Sequence, residues 1–166
     1  MEKCSRGFAL YEVIVTLSIM VLLSTLALSY GASNRAQTRI LRDEAAIVSY
    51  LGRARALAVK GYTAGETICA YGVHFDAEAK TITLFEDKAS PCNAADYVRG
   101  AGDGDVETYA LNPQVSVTAP SDITFVPPEV VVRVMPSGLW PAMVSLATGS
   151  ETTNIEIYES GQITTP

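Results

Sequence analysis

Residues 1–31 read MEKCSRGFALYEVIVTLSIMVLLSTLALSYG, and Glu12 is the only charged residue between 8 and 30. A helix rises about 1.5 Å per residue, so these 23 residues could span the roughly 30 Å of a bilayer's hydrocarbon. The flank before them carries Lys3 and Arg6 against Glu2. Positive flanks stay on the cytoplasmic side, so 1–7 is expected inside and the C-terminal bulk outside. A secretory signal peptide is the rival reading. Its apolar core runs about 7–15 residues and ends at a small-x-small cleavage site. The run here is longer, and Leu28-Ser29-Tyr30-Gly31-Ala32 matches such a site poorly. Cys4 precedes the apolar run, whereas a lipoprotein cysteine would follow one, so it is read as incidental.

Moving outward from this stretch, no proline occurs before Pro91, and only Gly31 and Gly52 interrupt 8–60. One helix of roughly 50 residues, about 75 Å, is therefore allowed. Its first half is apolar on every side, as a lipid-buried helix should be. Its second half, 31–60, is amphipathic. Ile40, Ile47, Leu51, Ala54 and Ala58 recur at helical spacing, with Leu41, Val48 and Leu57 beside them. Arg39, Arg42, Asp43, Arg53 and Lys60 fall mostly off that stripe.

Beyond Gly61 and Gly65 the pattern changes to short strands. Residues 67–75 and 81–85 flank Asp76-Ala77-Glu78-Ala79-Lys80 and read as a hairpin. Residues 86–108 are polar and rich in Gly, Asp and Ala, and read as a surface excursion. Further strands are expected at 115–118, 123–126, 130–135 and 143–146. A closing hairpin, 154–158 with 162–164, turns through Glu159-Ser160-Gly161, where Gly161 would supply a positive φ. The expected class is α+β, with a long N-terminal helix laid on an antiparallel sheet. The division is 1–7 leader, 8–30 membrane helix, 31–60 stem and 61–166 β-rich head.

The net charge of −6 is unevenly placed. Residues 31–60 hold six basic and two acidic residues; 61–166 hold four basic and 14 acidic ones. An acidic head argues against a nucleic-acid surface, which needs clustered cations. Cys69 and Cys92 can pair in an oxidising compartment, or stay as two free buried cysteines. His74 is the single histidine; strand alternation turns it away from Tyr71, Val73 and Phe75, toward solvent. Asp103, Asp105 and Glu107 alternate in a Gly-rich loop that could wrap Ca²⁺. The alternative is a solvated acidic loop, and position 114, where an EF-hand closes with Glu, is Gln. Trp140 is expected to pack in the core or a loop. No metal or other cofactor is expected.

Gly7-Phe8-Ala9-Leu10-Tyr11-Glu12-Val13 resembles the processing motif of type IV pilins and type II secretion pseudopilins. A looser likeness to minor pseudopilins of the GspH/FimT type is carried by three stretches. These are Ala54-Arg55-Ala56-Leu57-Ala58, Ile123-Thr124-Phe125 with Ser137-Gly138, and Ile155-Glu156-Ile157 with Gly161-Gln162-Ile163. The resemblance implies a non-enzymatic filament subunit in a bacterial inner membrane, with its head periplasmic or extracellular. A prepilin peptidase would cut between Gly7 and Phe8 and methylate the new amine of Phe8. The implied partners are that peptidase, other pilin or pseudopilin subunits, an inner-membrane assembly platform and the membrane itself. Two positions depart from the pattern: Ala9 replaces a frequent Ser or Thr, and Tyr11 replaces an aliphatic residue.

Within this resemblance Glu12 gains a physical role. A carboxylate in hydrocarbon costs a few kcal/mol and by default faces a partner or cavity. The amine of Phe8, on the same or a neighbouring subunit, would be that partner. The plainer reading is a carboxylate snorkelling to the cytoplasmic interface. Two rival functions remain at this level. One is a membrane-anchored extracytoplasmic enzyme or binding domain; the other is a DNA-uptake minor pilin.

Overall fold

The computed structural model describes residues 10–61, 68–89, 91–138, 140–149 and 151–165, with side chains outside 27–34. The first element, α1, is a helix over Leu10–Gly61 of 52 residues. The chain divides into two compact units, Met1–Ala36 and Gln37–Pro166.

In the first unit the large apolar side chains of 10–26 are exposed all round the helix, Val15 alone being half-buried. The expected span, 8–30, extends past the residues whose side chains are described. Among the described residues no helix is long and apolar enough to cross a membrane.

The second unit is α+β, with the C-terminal part of α1 packed on two antiparallel sheets rather than the single sheet expected. In chain order the strands are β1 (Ile68–Asp76), β2 (Thr81–Lys88), β3 (Gly104–Ala110), β4 (Ser116–Thr118) and β5 (Asp122–Val126). They continue with β6 (Val131–Met135), β7 (Ala142–Thr148), β8 (Glu151–Ile157) and β9 (Ile163–Thr164). One sheet runs β3-β2-β1-β5-β6 and the other β4-β7-β8-β9. The closing hairpin turns where expected, with Gly161 at φ 77°. The expected excursion 86–108 is corrected at both ends. Strand β2 runs on to Lys88, and β3 begins at Gly104, leaving a shorter loop with a single 3-10 turn at Cys92–Ala94.

The stem stripe forms the core. Ile40, Ile47, Leu51, Ala54 and Ala58 are all buried, together with Tyr71, Val73, Ile82 and Leu84 from the first sheet and Val144, Leu146 and Ile155 from the second. Leu41, on the margin of the stripe, is exposed. Asp43 was expected off this stripe and instead lies on it, only 1% exposed. Its Oδ1 accepts from the Tyr109 hydroxyl at 3.2 Å and its Oδ2 from the Asn112 N–H at 2.9 Å. Tyr50 stacks obliquely on Tyr109, with ring centroids 6.2 Å apart. Arg53 pairs with Glu107, and Arg39 with Gln114, along the same seam.

The other face of the first sheet is also covered. Phe85 and Thr124 lie on it, both fully buried, and Gly72 lies directly opposite each of them. A Cβ on Gly72 would meet the Phe85 ring at 2.6 Å and Thr124 Oγ1 at 2.9 Å. Neither is the free end of a flexible chain, so the sheet must shift to admit it. Gly72→Ala is expected to lower stability by about 1–3 kcal/mol, read from chemical or thermal unfolding. An unchanged midpoint would show that the Phe85 ring yields without cost.

Candidate functional site

The residues expected to carry function fall on two parts of the chain. Gly7 and Phe8 lie outside the described residues, as does Cys4. Glu12 stands in the first turn of α1. A carboxylate there is favoured by the helix dipole, whose positive end it meets. The side chain is exposed, and among the described residues no cation or donor bonds it.

Around Glu12 the helix satisfies its own polar groups. Residues 10–26 contain five hydroxyls; Tyr11 carries one on an exposed ring, and the four on Thr and Ser each donate to a carbonyl one turn back. Thr16 bonds Val13 O at 2.9 Å, Ser18 bonds Ile14 O at 2.8 Å, Ser24 bonds Met20 O at 2.7 Å and Thr25 bonds Leu22 O at 2.8 Å. Such back-bonding leaves no Ser or Thr hydroxyl of this stretch in need of water. Glu12 is then the single charged group in 10–26, and no bond within the helix answers it.

The second part is the loop between β2 and β3. Cys69 and Cys92 form a disulfide, so the open question of their pairing is resolved. A disulfide suggests an extracytoplasmic location. The bond ties the loop to β1, and four contacts then press it onto the outer face of the sheet. The Tyr97 N–H donates to Asp87 Oδ2 at 3.1 Å, and the Thr124 hydroxyl donates to Tyr97 O at 2.8 Å. The Arg99 N–H donates to Asp122 Oδ1 at 3.2 Å, and the Arg99 guanidinium holds Asp105 through two bonds of 2.8 and 2.7 Å.

His74 does turn to this outer face, but not into open solvent. Its Nδ1 lies 2.8 Å from Asp122 Oδ1, and Asp122 is only 1% exposed. A carboxylate oxygen only accepts, so Nδ1 carries the proton. The pair joins β1 to β5 at the register position they share. Its partners are structural: strand, strand and the Arg99 loop.

The three alternating acids do not converge. Asp105 is held by Arg99, which pulls its carboxyl below the usual range. Glu107 turns to Arg53 on α1. Asp103 accepts from the Lys88 N–H at 3.0 Å and the Gly100 N–H at 2.6 Å. The register break of β3 on β2 at Leu84/Phe85 and these separate donors draw the three carboxylates apart. Among the described residues no group of three or more His, Cys, Asp or Glu side chains could hold a metal ion. Trp140, expected to pack in the core or a loop, lies in the β6–β7 loop and is 40% exposed.

Comparison with protein-family models, with curated proteins and with solved structures finds no match.

Sequence reading missed Asp87, at the end of β2 and 2% exposed. Burial, then the neighbouring Asp103 carboxylate, pushes its carboxyl up to about 6, against the opposing pull of the Tyr97 N–H. An unfolded chain would release that proton near the ordinary aspartate value of about 3.9. Between those two values the folded form holds more protons, so stability from this group falls as pH rises from about 4 to about 6. Asp87→Asn keeps an oxygen for the Tyr97 N–H and removes the charge. The variant is expected to unfold at a higher temperature than wild type at pH 7.5, with the gap closing by about pH 4. A gap that is the same at both pH values would count against a buried charge at this position.

Proposed function

We propose that the chain is a structural subunit of a filament of the type IV pilus or type II secretion kind, a minor pilin or pseudopilin. The observation that carries the reading is Glu12. It is a lone carboxylate on a helix that is apolar all round and internally hydrogen-bonded, five residues after Gly7 in a matching processing motif. Peptidase cleavage between Gly7 and Phe8 would remove the charged leader and free an amine at Phe8. A residue without Cβ at position 7 suits a narrow cleft. The new ammonium and Glu12 would then form a charge pair in low dielectric, where losing one partner is costly. Pairing between neighbouring subunits would set the axial register of one helix on the next. The α+β head and its disulfide agree with this reading, since a secreted head needs a core and tolerates oxidation.

Processing is read from the N-terminal mass of the full chain co-expressed with a prepilin peptidase. The expected product begins at Phe8 and is one methyl group heavier than the bare peptide. A chain that still begins at Met1, or one that begins near Ala32, overturns the proposal.

Register is read separately. Glu12→Ala is expected to be cleaved normally yet to enter filaments poorly, measured by immunoblot of sheared filaments against total cell protein. Wild-type incorporation of that variant would remove the assembly role from Glu12.

A further inference from the structure

The two sheets present four edge strands, and three of them are blunted. Strand β3 carries Asp105 and Glu107, and its register with β2 breaks at Leu84/Phe85. Strands β4 and β9 are three and two residues long. Bulges, charges and short length are the usual defences of a sheet edge. Strand β6 has no bulge and a single charge, Arg133. It reads Val131-Val132-Arg133-Val134-Met135 and pairs with β5 without a register break.

Its outer side is half used. The Val132 N–H points away from β5 and donates to Glu159 O at 3.2 Å. Backbone groups two residues apart on a strand point the same way, so the Val134 N–H and C=O also face outward. Among the described residues nothing bonds them. A cleft of about 210 Å³ opens there, lined by the strand together with Ser137, Gly138, Trp140 and Glu159. The protein's own chain thus begins to add to this edge at Val132 and then leaves it.

Charge selects the occupant. Arg133 points to the outer face of the sheet, with its guanidinium 5.8 Å from the Tyr97 ring centroid. Among the described residues no carboxylate bonds it. A strand bonded through the Val134 N–H and C=O and the Val132 C=O would meet Arg133 in a non-hydrogen-bonded pair, where side chains come closest. A second copy of β6 using both residues would set Arg133 against Arg133, and like charges directly opposite are destabilising. We propose that the β6 edge binds an extended peptide of another protein as an added strand, with an acidic side chain opposite Arg133 and an apolar one against Trp140. This binding does not rest on the filament reading.

The test uses the full chain in detergent and two blocked peptides of alternating Thr and Val, with Glu or Lys at the centre. Trp140 is the sole tryptophan, so its fluorescence reports occupancy directly. The Glu peptide is expected to bind about fivefold more tightly than the Lys peptide. Arg133→Glu, an exposed change, should reverse that order. The bound Glu peptide should also slow hydrogen exchange of the Val134 amide. Absence of binding, equal binding of both peptides, an order unchanged by Arg133→Glu, or no protection at Val134 would each overturn the proposal. Concentration-dependent self-association that protects Val134 without peptide would overturn it too, in favour of a second copy of the chain.

Discussion

A carboxylate buried in the core dictates the path of the chain after β3. Asp43 sits on the inward face of α1, among Ile40, Ile47 and Tyr50. A buried charge is tolerated only when donors meet it. The donors are the Tyr109 hydroxyl and the Asn112 N–H, two points three residues apart on one segment. Together they bring the end of β3 against the helix and turn the chain immediately after it. Leu111 and Val115, on either side of Asn112, then become core residues. From there the chain enters β4 and the second sheet, so the contacts of Asp43 lie where the chain passes from one sheet to the other.

The first sheet is covered twice. Its inner face takes the helix, and its outer face takes the disulfide-tied loop. This explains why β1 is buried over five successive residues, instead of alternating as a one-sided strand does. It also explains the choice of side chains beneath the loop. Thr124, Asp122 and Asp87 each receive or give a bond to the loop backbone. A loop with few large apolar residues, Tyr97 and Val98, is thus held by polar side chains rising from the sheet. The disulfide keeps it near enough for those bonds to form.

Periodicity made the helix, its buried stripe and both hairpins legible, because each is a local pattern. The closing turn was legible for the same reason: Gly161 is required by its positive φ. What periodicity could not assign was partnership. A stripe says that a face is covered, not by how many sheets. Strand β3 was hidden because it is an exposed edge, with Asp105, Glu107 and Thr108 giving no apolar alternation; tertiary pairing with β2 makes it a strand. Asp43 was misplaced because a charge counts against a core position unless its donors are known, and those lie 66 and 69 residues away. A separation of 54 residues likewise hid the engagement of Glu107 by Arg53, whereas Asp105 is held by Arg99 from the loop just before it; in sequence the two acids resembled a metal loop. Of the assembly residues only Glu12 is described, and Gly7 and Phe8 rest on the motif alone.

Glu12 and Asp43 are two carboxylates on one helix, and the chain treats them oppositely. Asp43 is met by donors within its own fold. The Thr and Ser hydroxyls nearest Glu12, on Thr16 and Ser18, turn to the helix backbone, and neither bonds it. If the chain were meant to bury Glu12 by itself, a nearby Ser or Thr could have been kept to hydrogen-bond it. Thr16 lies one turn away, where i,i+4 side chains are neighbours, and it bonds Val13 O instead. The counter-charge for Glu12 must therefore come from outside 10–26: water at an interface, the chain's own amine at Phe8, or that amine on another chain. The filament reading selects the last of these, since pairing between chains ties the charge to the height of one helix on the next. Water at an interface accepts a carboxylate at any nearby turn, whereas a partner helix accepts it at one height.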